Sequence, residues 1–138
     1  DAILSTYSSI SDSIKSRYPD LTLIHVTVPL RATSGGWKLP IKRLIGYPDY
    51  TDAANIKRNE YNKRLSELYK NEPVFDLAAV QSTWPDGKRS FFKKDETPIY
   101  TLIPDYTYDG GHLNVAGQKH VAAAFVHFLT KHLVFSSF

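Results

Sequence analysis

The chain has 138 residues, a formal net charge of +3 and no cysteine. That length supports one domain with a real core but is short for an enzyme with a deep cleft. The composition excludes disulfides, thiolate catalysis and Cys-ligated zinc, a membrane-spanning run of roughly 20 apolar residues, and a disordered chain poor in aliphatic and aromatic side chains.

The positive charge comes in short clusters: Lys38, Lys42 and Arg43; Lys63 and Arg64; Lys88, Arg89, Lys93 and Lys94. Acidic residues are interleaved with them. A nucleic-acid binder concentrates its charge on one face, with aromatic platforms or a known motif. Neither is present, so the expectation is a solvated basic surface with no nucleic-acid partner. Asp1 to Ser16 lacks the apolar stretch of a signal peptide. The chain begins without Met, which leads us to expect that upstream sequence has been removed. The absence of cysteine fits exported and cytosolic proteins alike, so the localisation is left open, with an extracellular or periplasmic setting favoured.

Residues 1–18 place Ile3, Leu4, Tyr7, Ile10 and Ile14 at helical spacing, frayed by serines. Tyr18-Pro19-Asp20 ends that helix. Leu21–Val28 is an apolar, β-branched run that predicts a strand covered on both faces, as in a parallel sheet. Residues 30–50 carry Gly35, Gly36, Pro40, Gly46 and Pro48 and read as a long loop, a kind usually tied to function. Trp37 and Tyr47 on it could line a cleft or form local core. Thr51 or Asp52 is the expected cap of a second helix, with Ala54, Tyr61, Leu65 and Leu68 as its buried stripe and an end near Asn71-Glu72-Pro73. Val74–Leu77, carrying Asp76, predicts a short strand, and the polar residues 81–98 a surface excursion. Tyr100–Ile103 reads as briefly extended and Asp105–Asn114 as a loop. Asn114 should cap a last helix on which Val121, Phe125, Phe128 and Leu129 repeat.

The alternation predicts an α/β fold: a three-layer sandwich around a parallel sheet, incomplete at its N-terminal side because two confident strands rarely make a sheet. Leu21–Val28 and Val74–Leu77 should lie side by side in parallel, flanked by the helices at 52–70 and 115–132. The outer edge of the first strand should then be covered by another segment or chain.

The residues with the clearest chemical potential are Asp109-Gly110-Gly111-His112, directly before the last helix. Two glycines let the backbone turn tightly. An Asp three residues before a His in such a turn can hold the ring Nδ1–H and free Nε2 to take a proton from a nucleophile. The spacing alone favours a His that caps or packs a loop, with Asp109 as a turn residue. His25 near the end of a buried strand is read as a packed, hydrogen-bonded histidine. His120, His127 and His132 fall on the last helix, facing solvent or its edge. Asp109, His112 and His120 could be put forward as metal ligands, but no H-x-x-x-H or H-E-x-x-H spacing supports that.

The run Tyr108-Asp109-Gly110-Gly111-His112-Leu113-Asn114-Val115-Ala116-Gly117, followed by an amphipathic helix, resembles the final signature block of SGNH/GDSL hydrolases. His25-Val26-Thr27-Val28-Pro29-Leu30 resembles a central strand of the bacterial members. Arg58-Asn59-Glu60-Tyr61-Asn62 resembles their characteristic helix, and Phe75-Asp76-Leu77 the strand that follows. The similarity runs from about Tyr18 onward, and makes residues 1–138 the C-terminal part of a single SGNH (flavodoxin-like) domain. It implies that His112 is the general base of a serine esterase, that Asp109 orients it, and that no metal or cofactor takes part. The implied substrate is a small acyl ester such as an acetylated carbohydrate, for hydrolysis or acyl transfer. The family's serine block and oxyanion-hole blocks are not recognisable here. Ser5, Ser8, Ser9, Ser11, Ser13 and Ser16 read as solvated helix surface, so the nucleophile is expected from a missing N-terminal segment or a second chain. The alternative is a non-catalytic SGNH-like module for carbohydrate binding or assembly.

Overall fold

The computed structural model of the chain describes residues 2–33 and 50–132. In chain order these form α1 (Ala2–Arg17), β1 (His25–Val26), α2 (Tyr50–Leu68), β2 (Val74–Phe75), α3 (Leu77–Ser82), β3 (Phe91–Lys94), β4 (Thr97–Tyr100), a 3-10 turn (Pro104–Tyr106) and α4 (Val115–His132). The expected loop over 30–50, with Trp37 and Tyr47, lies largely outside the described residues. Among these residues, no helix is long and apolar enough to cross a membrane.

β1 and β2 pair in parallel, with His25 opposite Val74 and Val26 opposite Phe75. The ladder continues through His25 N–H to the Pro73 carbonyl (2.9 Å) and Thr27 N–H to the Phe75 carbonyl (3.2 Å). Alternate residues of a parallel strand bond to opposite sides. The backbone groups of Val26 therefore face the other edge, where no described strand lies. The expected strand over Leu21–Val28 is thus corrected to a short one with an open face. Leu21 and Val26 are 61% and 42% exposed, while His25 and Thr27 are buried.

β2 also stops short of the expected Leu77. The Asp76 carboxylate caps α3 by accepting from Ala79 N–H (2.9 Å), and it accepts from the Thr27 hydroxyl as well (3.0 Å). A residue that caps a helix has left the ladder, so the parallel pair ends there. Phe125 and Phe128 of α4 pack edge-on against Phe75 at 4.9 and 5.4 Å between ring centres, which seats the last helix on β2.

Residues 81–98 are more than a surface excursion. They hold the end of α3 and most of an antiparallel hairpin in which Phe91 faces Tyr100 and Lys94 faces Thr97. Its turn places Asp95 and Glu96 at φ +48° and +62°. Both central residues of the tight hairpin turn that matches strand twist need this left-handed backbone.

α2 is corrected in two respects. Thr51 and Asp52 lie inside its first turn, not before it, and its packed face is polar. Leu68 is exposed, whereas Asn55 and Asn62 are buried beside Leu65. Each asparagine amide clasps a backbone position in both directions. Asn62 holds Val28 N–H and C=O (2.8 and 3.0 Å), Asn55 holds Arg31 (2.9 and 2.8 Å), and Asn59 holds Tyr100 (3.0 and 2.9 Å). The Gln81 side chain accepts from Leu30 N–H at 3.0 Å. Side-chain amides thus replace a neighbouring strand along residues 28–31, satisfying backbone groups that would each cost about 1–3 kcal/mol if buried unbonded. The segment ends in a small core of Leu30, Ala32, Ala78 and Leu102, against which Tyr106 and Leu113 pack.

Candidate active site

That clasped segment leads straight to the Asp109–His112 loop, because Ala32 N–H donates to the Gly110 carbonyl at 2.9 Å. Thr107 closes the loop on itself. Its hydroxyl donates to the His112 carbonyl (2.7 Å) and accepts from Gly110 N–H (2.9 Å), and Thr107 and Leu113 form an isolated antiparallel bridge. Gly110 takes φ +85°, a backbone state that side chains disfavour. On the far side, the Asn114 side chain accepts from Gly117 N–H at 3.0 Å and starts α4, as expected. Gly117 is required there, since a Cβ would stand 2.6 Å from the Tyr106 carbonyl oxygen.

The structure brings Asp109 and His112 together. One carboxylate oxygen accepts from Gly111 and His112 N–H at 2.9 and 2.8 Å. The other lies 2.5 Å from the His112 Nδ1. The ring contact first, then the two backbone donors, hold the Asp109 carboxyl well below the usual carboxylate range. An ionised carboxylate only accepts, so the bonded Nδ1 carries the proton and a neutral ring presents its lone pair on Nε2. Among the described residues, nothing bonds Nε2. The His112 side chain is 78% exposed, and the Tyr108 ring lies nearly parallel to it at 6.3 Å. With one nitrogen held and the other open, the ring can accept a proton at Nε2.

The other histidines are placed differently. His25 is fully buried, with Nδ1 on the Tyr7 hydroxyl (2.8 Å), Nε2 on Glu72 (3.0 Å) and its ring stacked on Tyr69 at 3.7 Å. His120 packs against Tyr106 and His132 against Phe128, while His127 is exposed. Among the described residues, no group of three or more His, Cys, Asp or Glu side chains could hold a metal ion. Ser5, Ser8, Ser9, Ser13 and Ser16 line an open groove along α1. Ser11 departs from the solvated surface expected of it: it is buried, and its hydroxyl has no partner among the described residues.

Sequence reasoning missed two residues at the site, Thr107 and Arg31. Thr107 could have been found, because a Thr two residues before an Asp in a glycine turn is a local hydrogen-bonding signal. Arg31 carries no such signal, since only the tertiary structure brings it to Gly111.

No protein-family model matches the chain, and no curated protein matches it. The fold is similar to the solved structure of "a putative platelet activating factor from Streptococcus pneumonia", with a TM-score of 0.56 and 18% identity. The match covers 91% of this chain and 50% of that one. At this identity the likeness concerns the fold alone.

Proposed function

We propose that this chain supplies the acid–base half of a serine ester hydrolase of the SGNH type. The observation that carries the reading is the Asp109–His112 pair, with Nδ1 held by a carboxylate and Nε2 open. A serine from polypeptide outside these residues would give its proton to Nε2 as its oxygen attacks the ester carbonyl. His112 would then return that proton to the leaving alcohol. Water, deprotonated by the same nitrogen, would release the acid and restore the serine. The substrate class is a small acyl ester, with acetylated carbohydrate as the first choice, and an alcohol in place of water makes the reaction an acyl transfer.

In the same reading β1 and β2 are adjacent strands of a larger parallel sheet in a three-layer α/β sandwich, of which residues 1–138 are the C-terminal part. Two observations support this. The Val26 edge is free among the described strands, and the similar structure is about twice as long as the part this chain matches. A missing N-terminal segment or a second chain would fill that edge and bring the serine and the oxyanion hole.

The test is hydrolysis of p-nitrophenyl acetate by the full-length protein. His112→Ala should lower turnover by about a thousandfold or more, because a triad acts as a unit. Asp109→Asn should be severely impaired but less completely so. Full activity in His112→Ala removes the esterase reading and leaves a binding or assembly module.

A further inference from the structure

Arg31 lies over the same loop. Its guanidinium carbon and one terminal nitrogen each stand 3.3 Å from the point where a Gly111 Cβ would sit, so the group rests close against the Gly111 backbone. Its own backbone is fixed at three points, by both atoms of the Asn55 amide (2.9 and 2.8 Å) and by Leu102 N–H (3.1 Å). The buried Asn55 therefore aims the root of this side chain. Among the described residues, no carboxylate pairs with the guanidinium. Asp109, close by in the loop, spends its oxygens on the His112 ring and on two backbone donors. Beside them lies a cleft of about 340 Å³ whose walls include Arg31, Thr33, Thr51, Thr107 and Asp109.

A guanidinium's flat fork of donors matches the two oxygens of a carboxylate or a phosphate better than it matches any neutral group. We propose that Arg31 and this cleft form an oxyanion-binding subsite, which takes a carboxylate or phosphate group carried by the substrate next to its scissile ester. The ester part of this statement rests on the esterase reading above; the anion site does not. The substrate would then be an acidic ester, for instance an acylated uronic acid or a sugar phosphate, with the anion bound first and the carbonyl turned toward His112. The Thr33 hydroxyl, also on the cleft wall, adds a neutral donor that suits an oxyanion and places no further negative charge in the cleft.

The decisive measurement is a titration of the full-length protein, followed by amide NMR shifts. Glutarate and inorganic phosphate serve as probes, with neutral glutaramide and potassium chloride at matched ionic strength as controls. The amides of Thr33, Gly110 and Gly111 should move saturably with glutarate or phosphate and not with the controls, and the tighter of the two identifies the anion. Arg31→Gln should weaken binding about tenfold or more. Arg31→Lys should recover part of it, because a point charge replaces a fork. Arg31 is exposed, so neither variant opens a cavity, and far-UV circular dichroism checks the fold. His112→Ala should bind the anion within about twofold of the parent, since the anion is held by Arg31. Equal shifts with chloride, or unchanged affinity in Arg31→Gln, overturn the subsite. Anion binding through Arg31 together with full hydrolysis in His112→Ala would remove the esterase reading and keep the subsite, so the two failures are separable.

Discussion

His25 and His112 each set one ring nitrogen against a carboxylate, Glu72 at 3.0 Å and Asp109 at 2.5 Å, yet the two side chains have opposite surroundings. The His25 ring is sealed: its second nitrogen meets the Tyr7 hydroxyl, and Tyr69 covers its face. Through Glu72 the cluster also reaches Lys15, so it pins α1 to the start of β1 and β2. His112 leaves its second nitrogen in solvent and is held by a loop whose bonds, among the described residues, run within itself, to Ala32 and to Gln118. A carboxylate–imidazole contact is therefore not a sign of catalysis by itself. What distinguishes a working base is the state of the other nitrogen, because a proton can move only to an atom that has room for it.

This contrast can be broken by exchange. His112→Ala should cost the full-length protein about three orders of magnitude in ester hydrolysis, and the exposed loop should lose no more than about 0.5 kcal/mol of stability by urea denaturation. Equal losses of stability and activity would mean that His112 is as structural as His25.

His25→Ala should do the reverse. It leaves the Tyr7 hydroxyl unpaired and Glu72 with Lys15 as its partner, and opens a cavity under Tyr69, so we expect a loss of about 2–4 kcal/mol in the same denaturation experiment. Tyr7→Phe keeps the ring packing and removes one bond, for a cost of about 1 kcal/mol. If Tyr7→Phe proved as damaging as His25→Ala, the α1 anchor would depend on the hydroxyl and not on the stacked ring.

The smallest effect is one of pH. The bond to Lys15 first, then the bond to His25, hold the Glu72 carboxyl below its ordinary range. A folded-state value below the unfolded one means that the folded chain prefers the ionised form. The stabilisation is present above the unfolded value and disappears as pH falls through the folded one. Stability measured between about pH 5 and pH 3 should therefore fall less steeply in Glu72→Gln than in the parent. An identical slope would show that the Lys15–Glu72–His25 chain contributes nothing measurable in solution.

Local patterns were legible without the structure. The helical periodicity of α1 and α4, the cap at Asn114, the parallel relation of the runs around His25 and Val74, and the closeness of Asp109 to His112 all depend on residues near one another in sequence or on simple alternation. The hairpin at 91–100 was not legible, because its turn uses Asp95 and Glu96 in the left-handed region where glycine or asparagine is the usual signal. The packed face of α2 was missed for a related reason. Hydrophobic periodicity finds buried leucines, and Asn55, Asn59 and Asn62 sit at helical spacing while being polar.

The sequence by itself determined that this protein alternates helix and strand and carries a carboxylate and an imidazole within one glycine turn, since both follow from side-chain order and backbone freedom over a few residues. Only the tertiary structure decided which histidine is sealed and which is open, that three asparagines stand in for a strand along residues 28–31 and 100, and that Arg31 rests on Gly111. Those facts join positions 18 to 80 residues apart, and no local rule relates residues that meet only when the chain has folded.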